Sequence, residues 1–565
     1  MTVELGRLSP RAPSTSVSPW SRLYGLGSVY AKTLRDSRRA ILIMSGLLAV
    51  AMFGAAAQYG KAYNTPQSRA GFVDIVHKFP AVMAGVYGTP SPAHLSTLGG
   101  MISFKNGASI AILFGIWSIL ALSSILAAEA RRGSLEFVVT SPLGSRRVAI
   151  EKVAAHLTTV LAVVIVLTVL SLLSGGFGTV PGDAISFQAA VGFGLWAGLM
   201  GLASGSLAFA LSSFVGRAAA AGLAGFVMLA GWLLHGYDRA VPALSGWSNL
   251  TWFGWTDRNQ PLAGQYDWAS LLPVALVAVV FLAAGVEAFS RRDVGSARVI
   301  GWLRFPDATL GLRGPLSRSL GERLPVALAW GTGVGLFALG LGASSASVNA
   351  SLAGSSLASV RLFHTLFPKI DLTQAGGFLQ LAFVELGLVL AGFAAVNLVA
   401  GWASDESSGR FEMLLTAPVA RARWAFSTGL GLMAAVVILS ALVALGVGIG
   451  SAAVGSDAAT PMLGTVVLGL HAAAAAGVGM AVGGLVRSSV AAGTVAVLVT
   501  LTFLDDTFAP GLKLPDWVHR LALTSHLGQP MIGGWDWSGI VACLVLAAGG
   551  LILSAWGLSR RDVRM

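Results

Sequence analysis

The chain has 565 residues, of which 55% are apolar and only 11% charged, with a mean hydropathy of +0.75. Soluble domains carry about 25% charged residues, so a water-soluble globule is excluded, and the wealth of Leu, Val, Ala and Phe excludes disorder. The net charge of +12 comes with no basic stripe interleaved with aromatics, which argues against nucleic acid as a partner.

Read from the start, the first 39 residues hold seven basic residues and no apolar stretch of signal-peptide length, so no cleaved secretory signal is expected. Leu23, Leu26, Tyr30 and Leu34 recur at helical spacing among Lys32, Arg35, Arg38 and Arg39, the pattern of an interfacial amphipathic helix. A membrane helix needs about 20 mostly apolar residues. Six such stretches follow, near Ala40–Ala57, Gly107–Ala128, Val148–Leu173, Phe187–Ser213, Ala218–Leu234 and Leu271–Phe289. A basic connector comes next, where Leu316, Leu320 and Leu324 alternate with Arg313, Arg318 and Arg323. It reads either as a second interfacial helix or as a solvated linker. Six further stretches lie near Leu324–Leu341, Gly377–Trp402, Trp424–Ile449, Met462–Leu485, Val490–Leu504 and Ile540–Trp556.

Charge placement orients the spans. With both termini inside, roughly three quarters of the 37 Lys and Arg residues fall on the cytoplasmic side, as the positive-inside rule requires. Residues 58–106 and 342–376 are then outside, and 129–147 and 403–423 inside. Trp247, Trp252, Trp255 and Trp268 crowd an outer loop in the manner of an interfacial belt.

The two halves repeat. Glu129 to Val148 reads EARRGSLEFVVTSPLGSRRV, and Asp405 to Trp424 reads DESSGRFEMLLTAPVARARW. Gly133, Glu136, Thr140, Pro142 and Arg147 pair at one constant offset with Gly409, Glu412, Thr416, Pro418 and Arg423. Arg217 matches Arg487, and Ser290–Val294 matches Ser559–Val563, at slightly shorter offsets that loops absorb. An even number of spans per unit makes the repeat parallel, with a pseudo-two-fold axis along the membrane normal. The expected fold is therefore an all-α polytopic membrane protein. Its twelve transmembrane helices form two parallel six-helix repeats, with both termini cytoplasmic. The expected division is a tail with an amphipathic elbow (1–39), a first repeat (40–294), a basic connector (295–323) and a second repeat (324–565).

Within each repeated loop, glycine breaks the incoming helix. Leu135, Phe137 and Val138, or Phe411, Met413 and Leu414, give a short amphipathic helix, which Pro142 or Pro418 ends. Such a helix lies on the cytoplasmic surface, against either a protein partner or lipid headgroups. Its duplication, each time with a Glu among apolar residues, favours a docking surface.

This loop between spans two and three, with a unit ending in Arg-Arg-Asp, resembles the ABC-2 type permeases of ABC exporters. The tandem twelve-span form is similar to the actinobacterial exporters of polyketide and ionophore antibiotics, a multidrug class. The resemblance implies that Gly133, Leu135, Glu136, Thr140, Pro142 and Arg147, and Gly409, Phe411, Glu412, Thr416, Pro418 and Arg423, belong to coupling helices. These would seat on two copies of a nucleotide-binding subunit, which carries the ATP and Mg. The second copy departs in its acidic pair Asp405-Glu406 and in Ala422, where the first has Arg146, so unequal contacts are expected.

The chain contains no GxxxxGK[ST] phosphate loop. Leu173-Ser174-Gly175-Gly176-Phe177 imitates an ABC signature, but it falls at the outer end of the third span and reads as a helix terminator. Asp505-Asp506 imitates a Walker B ending and reads as a solvated span end. ATP is therefore expected to be hydrolysed by another polypeptide, and this chain is expected to be no enzyme and to bind no cofactor. Its single cysteine, Cys543, and scattered histidines offer no metal site. Glu385 is the one carboxylate expected near mid-span. It fits a cationic substrate, a proton pathway, or a hydrogen bond to a neighbouring helix. His471 reads as a packed, hydrogen-bonded residue, and Glu287 as a partner for Arg291.

Two functions compete. One is the permease subunit of an ABC exporter in the cell membrane, moving lipophilic small molecules outward. The other is a gradient-driven transporter using Glu385, which would call for several intramembrane charges and no docking helix.

Overall fold

The computed structural model describes residues 28–77, 85, 87–89, 91–124, 144–215, 217–239, 246–291, 314–353, 376–407, 419–512, 517, 520 and 522–561. The chain is an all-α polytopic membrane protein, with one two-residue strand pair among the described residues, Gly528–Gln529 against Gly534–Trp535. The first six long helices are α1 (Val29–Ala62), α2 (Leu98–Ser124), α3 (Ser145–Ser174), α4 (Phe187–Val215), α5 (Arg217–Tyr237) and α6 (Leu271–Ser290). The second six are α7 (Pro315–Ala353), α8 (Glu385–Ser407), α9 (Arg421–Ala453), α10 (Val466–Leu485), α11 (Ser488–Leu512) and α12 (Trp537–Arg560). They correspond one to one with the twelve stretches expected from sequence. Eleven helices among the described residues are long and apolar enough to cross a bilayer, while α11 offers only the shorter apolar run Ser488–Phe503.

Three local expectations need correction. The helix over residues 29–39 does not break before the span. Ser28 caps Val29–Ala62 by accepting the Ala31 N–H, and one helix of 34 residues follows. At 1.5 Å per residue it is about 50 Å long, well beyond the ~30 Å hydrocarbon core, so its basic first turns project from the membrane. Likewise α7 runs unbroken for 39 residues through Leu316, Leu320 and Pro325, and the basic segment from Pro315 onward is helix rather than linker. Asp505 and Asp506 follow the end of the apolar run at Phe503, as expected, but they do not end the helix. The α11 helix continues past them to Leu512. The terminator reading at Ser174 holds: α3 stops there and Gly175–Phe177 forms a single 3₁₀ turn.

The packing repeats as the sequence does. α1 packs on α3 as α7 packs on α9, α2 on α4 as α8 on α10, and α4 on α6 as α10 on α12. α5 contacts α2 and α4 as α11 contacts α8 and α10. Contacts between the halves are reciprocal too: α1 meets α11 and α7 meets α5. That reciprocity is what a two-fold relation imposes on an interface.

Lipid tails are as apolar as leucine, so helices in a bilayer associate through close packing rather than exclusion of water. Small residues set the distance. A Cβ at Gly446 of α9 would stand 2.1 Å from the Gly335 carbonyl oxygen of α7, and one at Gly550 of α12 would stand 2.1 Å from the Gly477 carbonyl oxygen of α10. The outward faces carry exposed Leu272, Leu276, Val279 and Val280 on α6, and Val541, Leu544 and Val545 on α12, at the spacing of a lipid-facing stripe.

Gly446→Leu removes backbone contact that no side-chain rotation restores. Its cost should reach the upper end of the ~1–3 kcal/mol typical of overpacking, read as a lower melting temperature in detergent. On a Cys543→Ala background, Gln67→Cys should label from outside intact cells and Arg147→Cys should not; the opposite pattern would invert the topology.

Candidate transport pathway

Where α5 meets α7, the halves do not close. Between them lies a cavity of about 340 Å³. Its α5 wall includes Phe226, Leu229, Leu233 and Tyr237, its α7 wall Trp330, Val334, Phe337 and Leu341, and Leu390 reaches in from α8. Glycines make the room: a Cβ at Gly222, Gly225 or Gly340 would meet nothing within 4 Å. The lining is almost wholly apolar, and the volume lies in the range of small-molecule sites. Nothing in the sequence pointed to this cavity, because its wall is split between residues about a hundred positions apart.

Two matching loops cap the outer ends. Gln260-Pro261-Leu262-Ala263-Gly264 precedes Asp267-Trp268, and Gln529-Pro530-Met531-Ile532-Gly533 precedes Asp536-Trp537. Each proline starts a 3₁₀ turn, and each glycine closes it at positive φ, +75° and +81°, where a side chain is strained. Each aspartate caps the following helix, Asp267 accepting from the Ser270 N–H and Asp536 from the Ser538 and Gly539 N–H groups. Each loop also presses a carbonyl onto a glycine near the head of its unit's second helix. The Leu262 oxygen would lie 2.1 Å from a Cβ at Gly99, and the Met531 oxygen 2.1 Å from one at Gly376. Side chains fasten the caps: Gln260 Nε2 donates to the Ser91 carbonyl (2.7 Å) and Gln260 Oε1 accepts from Ala93 (3.0 Å), while Met531 N–H donates to Gln380 Oε1 (3.1 Å). The shared Q-P-x-x-G-x-x-D-W pattern was visible in the sequence at the same offset as the Arg-Arg-Asp ends.

Beneath the first cap sits a smaller polar cavity of about 30 Å³, room for a water, among Thr89, Ser103, His235, Asp257 and Asn259. His235 at the end of α5 bonds Ser248 Oγ through Nδ1 (3.0 Å) and faces Asp257 Oδ1 through Nε2 (3.3 Å). Further out, Arg69 and Asp183 form a buried bidentate pair. Arg69 also donates to the carbonyls of Tyr63 (2.9 Å) and Ser96 (3.0 Å). Asp183 accepts from the backbone N–H groups of Leu98 (3.0 Å), Thr179 (2.9 Å) and Val180 (3.0 Å). Burial pushes the Asp183 carboxyl up, but the Arg69 bond, the backbone donors and the Arg69 charge together outweigh it and hold the carboxyl below its ordinary value.

At the inner ends, ion pairs tie α8 to its neighbours. Arg318 of α7 faces Asp405 (3.6 Å) and bonds Glu322 (3.0 Å). Arg561 grips both oxygens of Glu406 (2.6 and 2.5 Å) and donates to the Val486 carbonyl (2.9 Å). The Asp405-Glu406 departure thus serves contacts within the chain. Arg147 bonds Glu151 (3.1 Å), Arg423 is exposed, and Glu287 pairs with Arg291 (2.6 Å) as expected. The remaining loop positions, Gly133, Leu135, Glu136, Thr140, Pro142, Gly409, Phe411, Glu412, Thr416 and Pro418, lie outside the described residues. Glu385 is the first residue of α8, directly after a π-helical segment Gln380–Val384 that follows the helical turn Gly377–Leu379. The backbone is thus helical from Gly377 to Ser407, and Glu385 stands about a third of the way along it from the outer end. His471 is buried as expected, but its Nδ1 has no hydrogen-bond partner.

Long apolar helices and reciprocal packing between two halves define a polytopic membrane protein with an apolar cavity at its seam. Residues 312–558 match the family model described as "Multidrug efflux system permease Rv1217c, C-terminal domain", a span that takes in α7 and nearly all of α12. The chain is 29% identical over 500 residues to the Multidrug efflux system permease protein Rv1217c of Mycobacterium tuberculosis, an alignment covering 79% of this chain and 87% of that protein. These likenesses bear out the expected resemblance to a multidrug ABC-type permease, a multi-pass protein of the cell membrane.

The Asp183 carboxyl has a lowered folded-state pKa, so its stabilisation is complete above the unfolded value near 3.8 and is lost as pH falls through the folded value. Asp183→Asn leaves Arg69 buried without its partner, at a cost of about 3–5 kcal/mol. Melting curves between pH 7 and pH 3 should show the wild type losing stability at the acid end, and the variant starting lower with a shallower acid slope.

Proposed function

We propose that the chain is the membrane subunit of an exporter that moves lipophilic small molecules out of the cell, driven by ATP hydrolysis on separate nucleotide-binding subunits. The observation that carries this reading is the apolar cavity at the seam between the halves. A site lined by Leu, Val, Phe and Gly recognises shape and apolar surface and little else, which suits a transporter of varied lipophilic compounds. The similar mycobacterial protein is named as a multidrug efflux permease, and a sequence without a phosphate loop fits an energy source carried by a partner.

In this reading residues 129–147 and 403–423 dock on two ATPase subunits. Motion of the second loop passes directly into the ends of α8 and α9, which flank it in sequence. Arg318 and Arg561 then carry it to α7 and α12 through Asp405 and Glu406. Because α7 is one wall of the cavity, a shift there changes the space open to a substrate. The outer caps hold the opposite ends of α2 and α8, so an inward-facing and an outward-facing state differ at the seam while the glycine-packed pairs stay together.

Glu136→Ala and Glu412→Ala test the docking. Removing one partner of a buried charge pair costs about 2–5 kcal/mol, so each variant should lower drug-stimulated ATP hydrolysis by the copurified complex, and the double variant more so. Membrane insertion should be unchanged. The chain purified alone should hydrolyse no ATP above background. If both variants hold the ATPase and transport at normal rates, the loops rest on lipid headgroups and the reading falls.

A further inference from the structure

The outer end of α5 divides two cavities. Leu233 and Tyr237 line the apolar one at the seam, and His235 lines the small polar one beneath the first cap. Two residues turn a helix by about 200°, so these side chains leave α5 on opposite sides. His235 is buried, and the loop that follows α5 meets both of its ring nitrogens. Nδ1 bonds Ser248 Oγ (3.0 Å), and Nε2 faces Asp257 Oδ1 (3.3 Å). The second contact is close without being an aligned hydrogen bond, and Oδ1 has no hydrogen-bond partner. Asp257 Oδ2 also faces the exposed Arg239 (3.9 Å). Backbone packing presses the same turn against the outer loops: a Cβ at Gly236 would collide with the Gly85 carbonyl oxygen.

The second unit carries the same two residue types with their places exchanged. Arg217 and Arg487 lie 270 positions apart, and at that offset His235 falls on Asp505. Leu234 with Leu504, and Trp247 with Trp517, keep the offset on either side. Counted back from the caps, where Gln260 and Gln529 lie 269 positions apart, Asp257 falls on His526. An imidazole N–H donates to a carboxylate whichever of the two stands on the helix. An exchange therefore keeps the pair, where an independent change of either residue would break it. The chain has only eight histidines, so two of them matched to acids at the two ends of one contact is a poor candidate for coincidence. Asp505 lies on α11, and the 3₁₀ turn Leu523–His526 packs against that helix. Here His526 Nε2 bonds the Arg520 carbonyl (3.0 Å).

We propose that an acid and an imidazole latch the outer end of each seam helix to its cap, His235 to Asp257 on α5 and Asp505 to His526 on α11. In this structure the first latch is closed. The second is open, with His526 donating to a loop carbonyl. Leu233 and Tyr237 share the last turns of α5 with His235, so the closed latch fixes the outer part of one cavity wall. Its release lets that end of α5 part from α7 and opens the cavity outward. His235 and Asp257 are positioning residues: they touch the loop and each other, and they act on the cavity through the helix. The latch belongs to the caps and stands whatever drives transport.

The test labels the cavity wall from outside. Intact cells carry the full chain with Cys543→Ala and Leu233→Cys, and a membrane-impermeant maleimide is added. His235→Gln and Asp257→Asn should each raise the labelling rate about tenfold, the shift in a two-state equilibrium when a charge-assisted hydrogen bond is lost. His235→Asp combined with Asp257→His copies the arrangement of the second unit and should bring the rate back to that of the parent. Parent rates in both single variants overturn the latch, and so does a double variant that labels as fast as the singles. Hydrogen exchange on the wild type in nanodiscs needs no variant to fold. With the first latch closed and the second open, amides 232–237 at the end of α5 should exchange about tenfold more slowly than amides 502–507 of α11. Equal exchange at the two ends overturns that assignment.

Discussion

No water reaches the hydrocarbon of a bilayer, so every backbone donor and acceptor there must be satisfied within the chain, and apolar burial no longer drives helix against helix. The architecture follows from that constraint. Helices satisfy their own backbones, and contact between them has to come from shape. The backbone of Gly335 lies against Gly446, and that of Gly477 against Gly550, because a single Cβ at either contact would collide with a carbonyl oxygen. Where such residues face each other, pairs such as α7–α9 and α10–α12 behave as units. Where glycines face open space, as at Gly222, Gly225 and Gly340, the same residue type leaves a void. Tight pairs and a loose seam are two uses of one small side chain.

The polar groups are sorted by the same rule. Arg69 and Asp183 are buried, but outside the apolar spans, and there they are completed by each other and by five backbone groups. The acids at the inner end of α8 are answered by Arg318 and Arg561. Against that background Arg323, buried with two unanswered nitrogens, is an exception, and it stands on α7, which borders both the seam and the inner ion pairs.

Much of this was legible in the sequence, because partition into a bilayer is local and nearly additive along the chain. The twelve apolar stretches, their order and the duplication all follow from windows of about 20 residues and from the placement of arginines. What failed was the extent of elements whose ends lack a lipid signal. Nothing in Leu316 to Leu324 says whether a basic amphipathic segment bends away or continues, and here it continues into α7. Asp505 and Asp506 mark a loss of hydropathy, which ends an apolar run without ending a helix. The cavity was not legible at all, since it belongs to the fit of α5 on α7. The Q-P-x-x-G-x-x-D-W caps were legible and sat in two loops where attention to apolar runs passes over them.

Duplication keeps the scaffold, and the chemistry of the two units has drifted apart. Asp183 and Asp457 occupy matching places after the third helix of each unit. The first is buried against Arg69, while the second caps the short helix Ala459–Gly464 through the Ala459 N–H (3.0 Å). The caps share turn, glycine and aspartate, but Gln260 fastens the first by its side chain, whereas the second is fastened by Gln380 reaching from the lead-in to α8. A two-fold scaffold with unequal seams gives a substrate two different surfaces to meet. At the α5–α7 seam the wall is almost wholly apolar, so whatever lies there is met by shape and apolar surface.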